Sequence, residues 1–262
     1  MSQSESDRKR SRKPSDEPSN IGQAAGRLRE LILRGEFKAG ERISELPLVA
    51  LLGMSRTPIR LALERLSHEG LLEPNPTGGF VVKGFTLDDL WDSIEVRGTL
   101  EGLAARLAAE RLSDPSELDA LCKIQEAMDR VPGNHSPEFM STYLDLNDAF
   151  HAEILRLSKS SILRGAVEKL FRLPFASPSA LVPPPLKKPD APRKFQIGNE
   201  HHHLLIDAIG NRHASFAQHL ALEHSQLTRA YFEAAIKYNE ITIGIPGGGL
   251  ITISDKPSIH NE

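Results

Sequence analysis

Three histidines stand on the inward faces of three helical stretches. His151 shares a face with Asn147, Ile154 and Ser158. His202 lies with Leu205, Ile206 and Ile209, and His224 falls on the run Ala217, Leu220, Leu227 and Tyr231. Taken singly, each is the kind of histidine that a core satisfies with a hydrogen bond. Together, three inward imidazoles on three helices of one bundle have the composition of a metal site, because neutral imidazole suits zinc, nickel and iron-group divalent ions. The run His201, His202, His203 leaves its own register open. Its spacing to Ala208 and Ile209 and to His224 favours His202, with His201 as the alternative.

A fourth inward polar feature lies on the helical stretch Leu87–Arg111. Its seam reads Leu90, Ile94, Arg97, Glu101, Ala104 and Ala108, so two charges interrupt an apolar stripe. A charge facing a core is costly unless it is paired. Either Arg97 and Glu101 pair with each other, i to i+4, at the domain surface, or Arg97 reaches a cavity and binds an anion. Three histidines and a water also make a catalytic zinc arrangement. A metal hydrolase or lyase needs a general base and a nucleophile or polarising group beside the ion, and no such motif stands out.

A different chemistry is written in residues 45–70. Glu45–Leu52 reads as a short helix, Gly53 breaks it, and Ser55 or Thr57 caps a second helix with Pro58 in its first turn. Ile59, Ala62, Leu63 and Leu66 form its inward face, and Arg56, Arg60 and Glu64 share the opposite one. Guanidinium groups near the start of an exposed second helix suit major-groove reading, since they bond guanine bidentately or hold phosphate. The plain alternative is a solvated Arg60–Glu64 pair. Behind the helix come Leu71 and Leu72, the turn PNPTGG and the strand Phe80–Val82, a hairpin in the place of a wing. The run GMSRTPIRLALERLSHEGLLE within residues 43–82 resembles the winged helix-turn-helix of GntR-type transcription regulators. The resemblance implies that Ser55, Arg56, Thr57, Arg60 and the wing glycine Gly79 face DNA, and that the chain binds an inverted-repeat operator as a homodimer. Gly78 departs from the pattern, which often has a basic residue there.

The remaining elements must position these groups. With 262 residues the chain is long enough for two domains. Residues 1–84 carry 14 Lys+Arg against 11 Asp+Glu, or +3; the rest carry 18 against 24, or −6, and the two sum to the formal −3 of the chain. The more basic part therefore coincides with the helix-turn-helix. No apolar run reaches a membrane span, no signal-peptide core is present, and one cysteine, Cys122, suits a reducing cytoplasm. We expect a polar, disordered arm over residues 1–20, a winged domain over 21–84, an all-helical domain over 87–237 and a flexible tail over 238–262. The fold class is mainly α. Thr86 caps the long helix, strand signals are absent after residue 87, and the prolines of 178–192 mark an irregular loop.

The stretches VRGTLEGLAARLAAERL, LNDAFHAEI and HHHLLIDAIGNRHASFAQHLALEH make the helical domain resemble the FCD effector domain of the same regulators, a bundle with an internal cavity. That resemblance assigns the metal set to Asn147, His151, His202 and His224. It implies one divalent ion, zinc foremost, with nickel, manganese or iron as alternatives. It also sets Arg97 against a small carboxylate effector and makes repression the commoner outcome. Asn147 departs from the family's aspartate, and an amide oxygen is a neutral, weaker ligand. Asp148 reaches the same point only if the helix face turns by about 100°.

Overall fold

A computed structural model describes residues 17–131, 137–178, 191–237 and 247–252. The chain opens with α1 (Glu17–Leu33), β1 (Arg42–Ile43), α2 (Glu45–Leu52), α3 (Arg56–His68), β2 (Leu72–Pro74) and β3 (Phe80–Val82). The three strands form one antiparallel sheet in the order β1-β3-β2, with Arg42 opposite Val81 and Pro74 opposite Phe80. Gly53 caps α2 in the left-handed region (φ 64°), and its amide donates to Val49 O at 3.0 Å, as a chain turning sharply into a second helix requires. Ala25, Leu28, Ile32, Ile59, Leu63 and Leu66 bury the facing sides of α1 and α3. This is a winged helix-turn-helix.

Then β4 (Phe85–Thr86) leads without a loop into α4 (Leu87–Arg111). Thr86 caps α4 as expected: its hydroxyl accepts from the Asp89 amide at 3.1 Å while Asp89 accepts from the Thr86 amide at 2.7 Å. The bundle continues through a 3-10 turn (Pro115–Leu118), α5 (Asp119–Asp129), α6 (Pro137–Leu157), α7 (Ser161–Leu170), α8 (Ala191–Gly210) and α9 (Ala214–Lys237). No single helix among the described residues is long and apolar enough to cross a membrane.

Three expectations need correction. Helix α1 begins at Glu17, so residues 17–20 belong to it and not to the polar arm; Pro18 falls in its first turn, where no backbone donor is needed. The rest of the arm lies outside the described residues. Strand structure also returns after residue 87. Residues 247–252, expected as part of a flexible tail, form a 3-10 turn (Gly248–Leu250) and β5 (Ile251–Thr252), which pairs parallel with β4, Phe85 against Ile251. Leu250 and Ile251 are buried in the core shared by the winged domain and the near end of the bundle, where Phe85, Leu90, Ile94 and Phe232 also lie. A two-residue strand has no readable period, so only its burial identifies it. Finally, α8 begins at Ala191, inside the expected loop, whose residues 179–190 lie outside the described part.

Helices α4 and α9 pack closely because Gly98 and Gly102, one turn apart, leave room for backbone. A Cβ at 102 would meet Gln218 O at 2.9 Å, and one at 98 would meet Ser225 Oγ at 2.2 Å. Gly102→Val is therefore expected to lower stability by roughly 1–3 kcal/mol through overpacking, about 2–4 °C in Tm per kcal/mol for a chain of this size. Thermal denaturation checks it against Gly165→Ala. At that position no atom lies within 4 Å of the added carbon, and helix propensity alone favours alanine by up to about 1 kcal/mol.

Candidate functional site

Two sites emerge, one on the winged domain and one inside the bundle. On the first, α3 turns Ile59, Ala62, Leu63 and Leu66 into the core, which leaves Ser55, Arg56, Thr57 and Arg60 exposed along its opening turns. Ser55 occupies the N-cap, but its side chain makes no capping hydrogen bond. Arg60 Nε and Glu64 Oε1 are 4.0 Å apart with both side chains about half exposed, a pair too weak to hold the guanidinium away from another partner. At the wing tip Asn75 Oδ1 accepts from the Thr77 amide at 3.1 Å. Gly79, exposed with φ 78°, packs so closely on β1 that a Cβ would meet Ile43 O at 2.8 Å. Sequence reasoning missed Arg42. Its Nη2 donates to Gly78 O at 2.9 Å and Thr77 O at 3.3 Å, which sets a cation from β1 against the wing tip where Gly78 carries none. The β1-β3 pairing that places it there has no signature in a two-residue strand.

In the bundle, α6, α8 and α9 bring His151, His202 and His224 together. Each offers a ring nitrogen, and these atoms all lie within 4.8 Å of one another. His202 is fully buried, its ring stacked on Phe150 at 4.2 Å, and its Nε2 lies 3.2 Å from His224 Nε2. The open register of the triple-histidine run is thereby settled in space. His201 is half-buried with its ring 5.7 Å from that of His224, and His203 points away to Asp129 at 3.1 Å. Burial, reinforced by the neighbouring imidazoles, pushes the protonation of His202 and His224 well below the usual histidine range, which favours the neutral form that a metal ion needs.

Glu101 binds this cluster to Arg97. Its Oε1 lies 3.2 Å from His151 Nδ1 and its Oε2 lies 3.7 Å from Arg97 Nε. Burial raises the Glu101 carboxyl, but His151 and Arg97 outweigh it and hold the group below its ordinary value. A carboxylate at Nδ1 keeps the proton there and turns the other ring nitrogen to the cavity, the usual support for a ligating histidine. The Arg97–Glu101 pair is real but does not sit at the domain surface: the two residues are only 3% and 8% exposed. Arg97 also spends its other donors inside, on Ser177 O (2.9 Å), Thr228 Oγ1 (2.6 Å) and Ser225 O (3.5 Å). Burial depresses its basicity, and the charges of Glu101 and Asp148 oppose that.

A cavity of about 20 Å³ is lined by Arg97, Asn147, His151, His224 and Thr228, among others. Its chemistry fits a divalent cation. Bonds of about 2.0–2.1 Å in a tetrahedral imidazole site imply a ligand–ligand edge of about 3.3–3.4 Å, close to the Nε2–Nε2 separation of 3.2 Å. Asn147, 2% exposed, lines the same cavity and offers a neutral amide.

Comparison with known proteins supports the division into two parts. The family described as bacterial regulatory proteins, gntR family, matches residues 20–82, and the FCD domain family matches residues 92–227. The chain is 33% identical to the uncharacterized HTH-type transcriptional regulator YdhC of Bacillus subtilis over 54% of its own length and 62% of that protein. It is 37% identical to the Nta operon transcriptional regulator of Aminobacter aminovorans over 51% of its length and 61% of that protein. The chain thus spans about three fifths of these two relatives. The solved structure of E. coli McbR/YncC superposes with a TM-score of 0.59 at 26% identity, covering 84% of this chain and 98% of that one.

Proposed function

The chain belongs to the gntR family of bacterial regulatory proteins and carries that family's FCD domain, and from that premise we propose a cytoplasmic transcriptional repressor whose operator affinity is set by a small carboxylate bound beside a divalent metal ion. The single observation that carries the reading is the union of an exposed, arginine-bearing helix with a buried cluster of three histidines and one arginine. The metal hydrolase or lyase reading loses its ground: both domains match families of regulatory proteins, and the carboxylate beside the histidines, Glu101, is engaged by His151 and Arg97.

On DNA, Arg56 and Arg60 reach base edges. Thr57, Ser55 and the backbone at Gly79 take phosphates, and Arg42 supplies the wing's cation. One such helix reads few base pairs, so the operator is an inverted repeat bound by a homodimer. In the bundle, His151, His202, His224 and Asn147 would hold the ion, zinc foremost. The ion supplies a Lewis-acidic positive charge; Arg97 supplies a second one with directed N–H donors. A buried anion needs both.

Arg56→Ala and Arg60→Ala are each expected to weaken operator binding by roughly 1–3 kcal/mol where the contact is to a base, and Arg42→Ala by less, uniformly across sequences. Gel-shift titration checks this. Operator affinity unchanged in both α3 variants would remove α3 as the reading helix.

A further inference from the structure

The segment after α7, residues 171–178, touches the cavity, the strand β4 and the end of α3. Ser177 O accepts from the buried Arg97 guanidinium at 2.9 Å, and Pro178 lines the cavity. Phe175, 1% exposed, packs edge-on against Phe85 of the interdomain strand β4, ring centroids 4.9 Å apart. Arg172 Nη1 lies 3.4 Å from Glu69 Oε1, at the C-terminal end of the recognition helix α3. Glu69 is itself an interdomain anchor. Its side chain is 2% exposed and also pairs with Arg29 of α1 and with Arg65 of α3 at 3.0 Å. Burial pushes its carboxyl up, and the hydrogen bonds from Arg65 and Arg29 bring it back below the ordinary carboxylate range.

We propose that residues 171–178 are the transmission element between the cavity and the DNA-binding domain, with the Ser177 carbonyl as its ligand-sensitive contact. The inference rests on the reading of Arg97 as the anion partner. A carboxylate arriving in the cavity competes for the N–H donors that Arg97 now gives to Ser177 O, and a charged acceptor outcompetes a neutral carbonyl. Once Ser177 is released, the segment loses its hold at the cavity end. Phe175 against the linker and Arg172 on Glu69 then lose their shared support. The end of α3, through Glu69, and strand β4, through Phe85, are two of the places where the winged domain meets the bundle, so their loosening changes how the two winged domains of a dimer are presented. The ligand thereby discriminates between two arrangements, which any ligand-driven switch requires.

Amide hydrogen exchange on the full-length protein tests this without an effector, because substitution opens the contact. Arg97→Lys keeps the charge but cannot span the same acceptors; Arg172→Gln removes a half-exposed cation and leaves the bundle interior untouched. Circular dichroism establishes that both variants are folded. Arg97→Lys is expected to speed exchange roughly tenfold or more in residues 171–178, and two- to fivefold at residues 66–72 and 85–86. Arg172→Gln is expected to reproduce a roughly two- to fivefold change at residues 66–72, with no change in α4 or α9. In the double variant, Arg97→Lys should add nothing further at residues 66–72. The proposal is overturned if Arg97→Lys loosens 171–178 while 66–72 and 85–86 exchange as in wild type, or if the two substitutions act additively at 66–72. Remote loosening in a protein that ignores every acid would uphold the transmission route and remove only the carboxylate as its trigger.

Discussion

His202→Ala and His224→Ala protein, purified without a histidine tag, will contain almost none of the divalent metal, about one equivalent, expected in wild type. The expectation follows from the proposed centre and from its burial. Each of these rings is enclosed with its protonation pushed down, and the candidate ligand atoms lie within 4.8 Å of one another, so removing one leaves two imidazoles and an amide, too few to close a tetrahedral site. His151→Ala should behave alike. Glu101→Gln should retain the histidines and lose about 10- to 100-fold in affinity, the usual effect of removing an outer carboxylate from a ligating imidazole. Asn147→Asp runs the other way: a carboxylate adds negative charge beside the ion and should tighten it. Elemental analysis and competition with a chelator measure all five. Wild-type protein that is metal-free and cannot be reloaded would sink the centre altogether.

How much of this could be read from the sequence differs by element, and the reasons are physical. Helix α3 was legible because Ile59, Ala62, Leu63 and Leu66 repeat at helical spacing against a shared core, and all four are fully buried. The inward placement of His202 and His224 was legible for the same reason. That His202, and not His201, meets His224 depends on how α8 is rotated against α9, and tertiary packing decides rotation. Glu101 was visible as an intruder on an apolar stripe, yet its bond to His151 required knowing that α4 and α6 face each other. The acceptor of Arg97 was invisible in principle: Ser177 contributes a backbone carbonyl, which every residue possesses. The same holds for β4 and β5. Two residues each carry no period, and only the burial of Leu250 and Ile251 beside Phe85 shows that these residues are part of the core.

Arg97→Ala is expected to weaken the response to acids and, because it also frees the Ser177 carbonyl, to lower operator affinity in their absence. Truncating one member of a buried, hydrogen-bonded charge pair costs about 2–5 kcal/mol, so an acid that releases wild type from its operator should need a concentration at least roughly thirtyfold higher with the variant. The alternative role, a structural partner of Glu101, predicts a different pattern. Glu101 has a second partner in His151, 3.2 Å away, so a purely structural Arg97 would show up as lower thermal stability with the acid dose-response unmoved. Titration of short-chain mono- and dicarboxylates against the protein–operator complex, with melting temperatures in parallel, separates the two. Arg97→Lys sharpens the comparison, since lysine retains the positive charge and loses the forked donors that match a carboxylate. A response intermediate between wild type and Arg97→Ala would assign part of the recognition to charge and part to geometry. An identical acid response in all three proteins would return Arg97 to the role of i,i+4 partner of Glu101, and the metal ion alone would then have to hold the anion.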